Sequence, residues 1–422
     1  MPDEVAPSGD APQRPFFERR THVLTEPYAE QVSSAGASGR VDSLTGLRII
    51  AAAAVFFSHL HPPEFIPARV TVFMDSGYSG VTIFFVLSGF VLAWNYTERL
   101  IPLSARAVWS FAVARFARIY PLYVCVLIWV CAPGIVDHLL PDGTWLHFLA
   151  LQTWHPDLGI AFGLNGPGWS IGVEFFLYAL FPLLIVAIGG LRDNPRLLLV
   201  VGLVAIALVG ALTWWFSASG RGDLSPLDPT SAHRWLYRTP VTRIGDFTIG
   251  IVAALLIRSM KVRPWLGTAS QVVALVILLA MMASSTVNRS TWSWDFAYLV
   301  PTGLLLWGLA SNPGTVIARA LGSRPMVFAG EASFAFYLLH LPLLQVLVAP
   351  PTDGWYGWAF VTGLQFGVIL LTAVGAHIVI ERPAQQYLRR ALDRRRPTVI
   401  TGASPSEGVA PTRVGQLPAL GG

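Results

Sequence analysis

Residues 44–63 read LTGLRIIAAAAVFFSHLHPP, a run that is apolar over most of its length and yet contains Arg48, His59 and His61. A helix needs roughly 20 mostly apolar residues to cross a bilayer, and this stretch is long enough. Charged and titratable groups within lipid are costly, so they usually face a cavity or a partner. The run therefore predicts a membrane-spanning helix whose polar side chains serve a function.

The composition of the whole chain agrees with a membrane protein. Of 422 residues, 54% are hydrophobic and 13% are charged, whereas soluble domains carry about 25% charged residues. The net charge of +5 comes from basic residues scattered between apolar runs, which the positive-inside bias explains better than nucleic-acid binding does. Cys125 and Cys131 lie in one apolar segment and face different sides of a helix, so neither a disulfide framework nor a metal site is expected.

About ten apolar runs are long enough to cross a bilayer, and helices are expected because lipid offers backbone groups no outside partner. The runs cover residues 44–62, 77–97, 119–136, 169–189, 196–216, 240–258, 266–284, 294–311, 326–349 and 358–381. The predicted fold class is an all-α polytopic membrane protein, with a transmembrane domain over residues 44–388. The polar flanks predict a disordered tail over residues 1–43 and a basic, then Pro/Gly-rich tail over residues 389–422.

Basic residues in alternate loops predict the orientation of the chain. Arginines crowd the loop after the second run and then every second loop, which places both termini in the cytoplasm of a multi-pass cell-membrane protein. One loop, residues 220–243, disagrees, because it carries four arginines on the opposite side. The alternative for these arginines is that they serve the site.

The predicted orientation of the chain indicates how deep each of the unusual polar residues lies in the membrane. Arg48 lies near the cytoplasmic face, and His59 comes eleven residues later, roughly 16 Å further out on nearly the same helix face. Glu174 is little more than a turn below the outer face, and His340 is in the outer half of its run. We therefore expect His59, Glu174 and His340 to share one depth.

The segment ARFARIYPLY, residues 114–123, places Arg115 and Arg118 on one helix face at the cytoplasmic mouth. Guanidinium pairs suit phosphate binding, so this cluster and Arg48 predict a phosphorylated ligand on the cytoplasmic side. The alternative is that the arginine pair only determines topology.

Several polar or small residues are compatible with a purely structural role as well as with a functional one. His61 could reach the interface or bond a carbonyl, and Ser88 with Gly89 could mark a crossing of helices instead of a pore wall. Asp246, three residues after Arg243, could form only a local ion pair.

Taken together, these residues resemble the membrane acyltransferase-3 family over residues 44–388. Seven phrases occur in the family's order: LTGLRIIAAAAVFFSHL (44–60), GYSGVTIFFVLSGFVL (77–92), RFARIYPLY (115–123), GPGWSIGVEFFLYALFP (166–182), RIGDFTIGIVAALL (243–256), ASFAFYLLHLPLL (332–344) and ERP (381–383). Two departures stand out. Phe175 and Phe176 follow Glu174 where the family often has acidic residues or Gln, and Thr45 replaces the Asp that commonly opens the first phrase.

The resemblance implies a bundle of about ten helices around a central pore. It implies an O-acyltransferase that moves an acyl group from cytoplasmic acyl-CoA to a hydroxyl of a sugar, glycan, glycolipid or secondary metabolite such as a macrolide. The implied catalytic residue is His59, and Arg115 and Arg118 are implied to bind the CoA phosphates. The remaining expected site residues are Glu174 (catalytic), Arg48 and Tyr120 (acyl-CoA), and Ser88, Trp169, Arg243, Asp246, Tyr337 and His340 (acceptor or pore lining). No permanently bound cofactor is expected, and the oligomeric state stays open.

The expected mechanism is direct acyl transfer with neutral His59 as general base. Glu174 would fix the imidazole tautomer if it reaches the ring, and His340 would bind the acceptor or polarise the thioester. The competing hypothesis is a proton-coupled transporter or flippase of a polar lipid or glycan, because intramembrane His and Glu residues suit a proton relay. The sequence has no internal repeat of the kind common in transporters, which favours the enzyme.

Overall fold

The computed structural model describes residues 41–136, 139–288, 290–348, 352 and 354–394, and over these residues it is helical without a strand. The all-α class is therefore confirmed. The predicted tails lie almost entirely outside the described residues. Two boundaries of the predicted tails differ from the structure, however. The first helix begins at Asp42, before the predicted end of the first tail at residue 43, and the last helix continues to Arg394, past the predicted start of the second tail at residue 389.

Eleven longer helices make up most of the described chain. They are α1 (Asp42–Ser58), α2 (Gly80–Leu100), α3 (Ala105–Val136), α4 (Trp169–Gly189), α5 (Pro195–Ala218), α6 (Ile244–Ser259), α7 (Pro264–Met282), α8 (Phe296–Ser311), α9 (Ser333–Val346), α10 (Trp355–Ala376) and α11 (Arg382–Arg394). Shorter helical turns connect them: Ala68–Asp75, Ser76–Ser79, Thr144–Phe148, Gln152–Trp154, Leu158–Ala161, Gly166–Gly168, His233–Arg238, Ser285–Asn288, Thr291–Trp294, Val316–Leu321, Arg324–Glu331 and His377–Glu381.

Six segments of the described chain are long and apolar enough to cross a membrane, fewer than the ten expected. They are Ala68–Leu100, Ala105–Gly134, Gly166–Gly189, Pro195–Ala218, Pro264–Met282 and Trp355–Leu388. A seventh is possible only if Arg324–Glu331 and Ser333–Val346 count as one span, although they are bent by 62°. Three of the expected runs correspond to α1, α6 and α8, which have 17, 16 and 16 residues. These helices are shorter than the roughly 20 residues that a full span needs.

The centre of the bundle is formed where α2 crosses α6 with their backbones in contact. A Cβ atom on Gly89 would lie 2.0 Å from the carbonyl oxygen of Phe247, and one on Gly250 would lie 1.9 Å from that of Val86. Small residues at a helix crossing allow such an approach. Of the two roles considered for Gly89, the structure therefore shows packing at a helix crossing.

The outer helices expose apolar surface. Leu203 and Leu208 on α5 are 63% and 66% exposed, and Leu371 on α10 is 73% exposed. Contiguous apolar surface of this kind is not tolerated in water, so these faces fit a lipid bilayer.

Candidate active site

A cavity of about 410 Å³ opens where α1, α2, α3 and the helix Arg324–Glu331 meet. Its wall contains four arginines: Arg48, Arg99, Arg115 and Arg118. The structure thus brings together the three arginines expected from the sequence and adds Arg99, which is in the last turn of α2. We call this space the arginine cavity.

Tyr96 organises two of these guanidinium groups. Arg115 Nη2 donates a hydrogen bond to the Tyr96 hydroxyl at 3.0 Å. The guanidinium carbons of Arg115 and Arg99 lie 5.3 and 5.5 Å from the centroid of the same ring, within cation–π range. The sequence signal for Arg99 is its position three residues after Tyr96 at the end of an apolar run.

The arginine cavity is strongly positive. The acidic side chain in its lining, Glu331, already accepts a hydrogen bond from Arg382 Nη2 at 2.8 Å. A cleft lined by charges of one sign focuses the field and attracts ligands of the opposite sign. The cavity is therefore suited to an anionic ligand.

A second, smaller cavity of about 50 Å³ adjoins the first, since Arg48, Leu87 and Ser88 line both. Glu174 and Tyr337 lie in its wall. We call it the carboxylate cavity.

Hydrogen bonds connect the two cavities. Ser88 Oγ donates to the Tyr178 hydroxyl at 3.4 Å, and Tyr178 in turn donates to Glu174. Arg48 is oriented at the junction, because its Nε donates to Ser333 Oγ at 3.1 Å. The structure thus places Glu174 beside Arg48, closer to the arginines than its expected depth implied.

His59 and His340 form a pair on the other side of Tyr337. Their ring centroids are 5.0 Å apart, and His340 Nε2 lies 3.4 Å from His59 Nδ1. His59 Nδ1 is 2.8 Å from the carbonyl oxygen of Val55, and His340 Nδ1 is 2.6 Å from that of Tyr337. A carbonyl oxygen only accepts hydrogen bonds, so each Nδ1 carries the proton and each Nε2 keeps a lone pair.

The partner of His59 differs from the one expected. Glu174 accepts from Tyr178, and the His59 ring folds back onto Val55. The reason is local: α1 ends at Ser58, and the last carbonyl groups of a helix have no partner within it. A histidine that directly follows the helix can donate to one of them.

One layer of aromatic side chains separates the carboxylate cavity from the histidines. Phe84 and Tyr337 line this cavity with ring centroids 5.7 Å apart, and the Tyr337 ring lies 5.8 Å from that of His340. His340 is fully buried, whereas His59 is half-buried. Neither histidine lines the carboxylate cavity or the arginine cavity, and the contact between the carboxylate cavity and the pair is made by the Tyr337 ring.

Comparison with known proteins identifies the family. A family model described as an acyltransferase domain matches residues 41–381. The chain belongs to the acyltransferase-3 family. The chain is 32% identical to the acyltransferase MdmB of Streptomyces mycarofaciens over 400 residues, which cover 88% of this chain and 97% of MdmB. It is 24% identical to the peptidoglycan O-acetyltransferase OatA of Listeria monocytogenes over 333 residues, which cover 72% of this chain and 50% of OatA. No solved structure matches the chain.

Membership of this family establishes the class of reaction. The relatives are acyltransferases or O-acetyltransferases, so the chain is an O-acyltransferase that moves groups other than aminoacyl groups. The enzyme hypothesis is confirmed at this level, and the transporter alternative has no support from the relatives.

Tyr120 and Trp169 make their contacts outside the two cavities of this acyltransferase. The Tyr120 hydroxyl donates to the carbonyl oxygen of Phe148 at 2.9 Å, and its ring stacks on Phe116 at 4.4 Å. Trp169 is buried with its ring centroid 4.8 Å from that of Tyr237. Neither residue lines the arginine cavity or the carboxylate cavity.

Arg243 and Asp246, expected at the pore or acceptor site, form a buried ion cluster. Arg243 Nη1 lies 2.9 Å from Asp246 and 2.8 Å from Asp295, and all three side chains are fully buried. Arg243 Nε also donates to the carbonyl oxygen of Tyr237 at 2.8 Å. The local ion pair thus extends to Asp295, which the sequence did not single out because it comes 52 residues after Arg243.

A second arginine of the loop formed by residues 220–243 also has a structural role. Arg238 is buried and donates to the carbonyl oxygens of His155 and Pro156. Nearby, burial and the charges of Arg238 and Arg243 lower the pKa of His233 to about 4. At least two of the four arginines in residues 220–243 therefore attach this loop to other segments of the chain, which gives them a structural role independent of membrane orientation.

Proposed function

We propose that this chain is an integral-membrane O-acyltransferase that takes its acyl group from acyl-CoA on the cytoplasmic side. The acceptor is a hydroxyl of a sugar, glycan, glycolipid or secondary metabolite such as a macrolide. The observation that carries the proposal is the sequence of spaces from the arginine cavity through the carboxylate cavity to the histidine pair. In this proposal the arginine-rich side is cytoplasmic, both termini lie there, and the helices form a bundle around this passage in the cell membrane.

The arginine cavity is the proposed site of the CoA phosphates. Its volume of about 410 Å³ is in the range of roughly 300–1,000 Å³ that is typical of small-molecule sites. Guanidinium groups match phosphate oxygens in geometry and charge. Arg115 is held in place by Tyr96, so part of the binding geometry exists before the donor arrives.

The thioester enters through the carboxylate cavity. To reach His59 it must displace the layer of Phe84 and Tyr337, whose rings close the end of this cavity. The acceptor approaches His59 from another side; this residue is half-buried, whereas His340 is fully buried. Donor and acceptor therefore meet at one ring from two directions.

His59 acts as the general base through Nε2. This atom takes the proton of the acceptor hydroxyl while the hydroxyl oxygen bonds to the thioester carbonyl carbon. The carbon–sulfur bond then breaks, and Nε2 returns the proton to the departing thiolate, giving an ester and free CoA. Base assistance of this kind contributes about 10²–10⁴-fold.

Purified protein in lipid nanodiscs tests the proposal. It is incubated with radiolabelled acetyl-CoA and, separately, a macrolide, a glycolipid or a peptidoglycan fragment, and products are identified by mass spectrometry. We expect labelled ester with one acceptor class, loss of product in His59→Ala, and retention of product in the matched control His61→Ala. Wild-type transfer by His59→Ala would overturn the role of His59. Binding of acetyl-CoA without product from any acceptor would overturn the proposed reaction.

A further inference from the structure

We infer that His340 is a positioning residue for His59, an inference that rests on the proposed function. In this arrangement His340 Nε2 accepts a hydrogen bond from the Nδ1–H group of His59. It thereby holds the reactive Nε2 of His59 free of a proton and stabilises the imidazolium that forms during transfer. This is the part that a carboxylate plays in a Ser-His-Asp triad.

The hydrogen bonds of His340 fix its tautomer. Its Nδ1 lies 2.6 Å from the carbonyl oxygen of Tyr337 and must carry the proton there. The other ring nitrogen, Nε2, is consequently an acceptor, and it points at His59 Nδ1 at 3.4 Å. The direction of the hydrogen bond between the two rings is therefore from His59 to His340.

Packing holds the His340 ring in this orientation. The side chain is fully buried, and Phe336 lies nearly parallel to it, with an interplanar angle of 11° and centroids 6.4 Å apart. His59 is held from its own helix by Val55 at 2.8 Å. Two acceptors, one carbonyl and one imidazole, thus converge on a single N–H group.

The hydrogen bond to His340 becomes stronger when His59 is charged. When Nε2 takes the proton of the substrate hydroxyl, the His59 ring becomes a cation, and hydrogen bonds from a charged donor are roughly twice as strong as neutral ones. The Nδ1 proton stays on His59 throughout, and the proton taken up by Nε2 is passed to the CoA thiolate, so His340 gains and loses no proton. Glu174 does not fill this role, because its hydrogen bond in the structure is with Tyr178 in the carboxylate cavity and it has none with His59.

Two substitutions separate positioning from packing. His340→Phe keeps an aromatic ring beside Phe336 but has no acceptor, whereas His340→Gln keeps an acceptor oxygen but lacks the ring. We expect His340→Phe to lower kcat by about 10- to 100-fold, as for loss of a hydrogen bond to a charged group, with the KM for acetyl-CoA unchanged. His340→Gln should restore most of kcat. A purely structural role predicts the reverse order, because the buried apolar site would tolerate Phe better than Gln, and that order would overturn the inference.

A spectroscopic readout does not depend on turnover. Nitrogen-15 histidine labelling reports the tautomer of each ring, and the His59→Ala and His340→Phe variants assign the two signals. We expect protonated Nδ1 and bare Nε2 in both rings, and a shift of the His59 Nδ1 signal in His340→Phe. If the wild-type protein forms no ester, the proposed function fails and this spectrum alone decides the inference. A protonated Nε2 on either ring, or a His59 signal unmoved in His340→Phe, would overturn it.

Discussion

Arg115 donates a hydrogen bond to the Tyr96 hydroxyl at 3.0 Å, while the guanidinium carbon of Arg99 lies 5.5 Å from the centroid of the same ring. One aromatic ring on α2 thus orients a cation from α3 and another from its own last turn. The arginine cavity is in this respect a preorganised anion site, in which Arg115 needs little rearrangement to contact a phosphate.

Substitution of Arg115 or Arg118 by Gln should raise the KM for acyl-CoA by about tenfold with a small change in kcat. The reason is the loss of one charge-assisted hydrogen bond in each case. Increasing ionic strength should raise the wild-type KM as well, since mobile ions screen partly exposed charges. Initial rates over a series of acyl-CoA concentrations measure both effects. The matched control is Arg106→Gln, an exposed arginine on the same helix. An equal KM for Arg115→Gln and Arg106→Gln would contradict the proposed phosphate site.

Glu174→Gln should lower kcat/KM by about tenfold, more than Tyr178→Phe does. Glu174 is the carboxylate that shares the carboxylate cavity with Arg48, and an unmatched charge in a confined space is costly. The amide of Gln can still accept a hydrogen bond from Tyr178, so this substitution removes the charge but keeps the contact. Tyr178→Phe does the opposite. Steady-state kinetics measures both variants, and a larger loss in Tyr178→Phe than in Glu174→Gln would show that the hydrogen bond matters more than the charge.

Two groups of site residues, the arginines and the histidines, were predictable from the sequence. Arg48, Arg115 and Arg118 were expected on one side of the membrane from the placement of basic residues in the sequence, and the structure brings them together in one cavity. His59 and His340 were expected at one depth, and the structure pairs them at 3.4 Å. These two groupings are thus the part of the site that the sequence predicts.

The sequence did not predict which side chains would face one another across the helix bundle. Glu174 was expected at the depth of His59 and was expected to orient that ring if it reached it. In the structure it lies in the carboxylate cavity with Arg48, because the face that α4 presents depends on packing against α2 and α6, which no spacing in one sequence specifies. The contact of Arg243 with Asp295 joins α6 to the start of α8, so only the folded bundle makes it visible. The count of about ten spans is not confirmed by the described residues, because composition alone does not separate a full span from the shorter helices α1, α6 and α8.

Arg243→Gln should destabilise the protein by about 3–5 kcal/mol, the usual cost of breaking a buried ion pair from one side. The substitution leaves the carboxylates of Asp246 and Asp295 buried without their common cation. Asp295→Asn should cost less, because one carboxylate still pairs with Arg243. Thermal unfolding of the purified protein in detergent measures the differences.

The control for this cluster is Arg234→Gln in the same loop. The guanidinium of Arg234 donates to the carbonyl oxygen of Pro229 within the loop, in an exposed hydrogen bond, so its loss should be nearly neutral. A stable Arg243→Gln protein that lacks activity would instead assign Arg243 to the acceptor site, as expected from the sequence.

His233 should make stability depend on pH between about 6.5 and 4. Burial beside Arg238 and Arg243 lowers its pKa to about 4 in the folded protein, whereas an unfolded histidine titrates near 6.5. Above pH 6.5 the His233 ring is neutral in both the folded and the unfolded protein, so protonation of this residue takes nothing from the free energy of unfolding. As the pH falls through this window the unfolded state binds the proton first, so up to about 3 kcal/mol of stability is lost. His233→Phe should remove this part of the pH dependence while keeping the ring contacts with Phe162 and Trp294. Unfolding temperatures of both proteins measured from pH 7.5 to 4.5 check the prediction, and parallel curves for the two would contradict it.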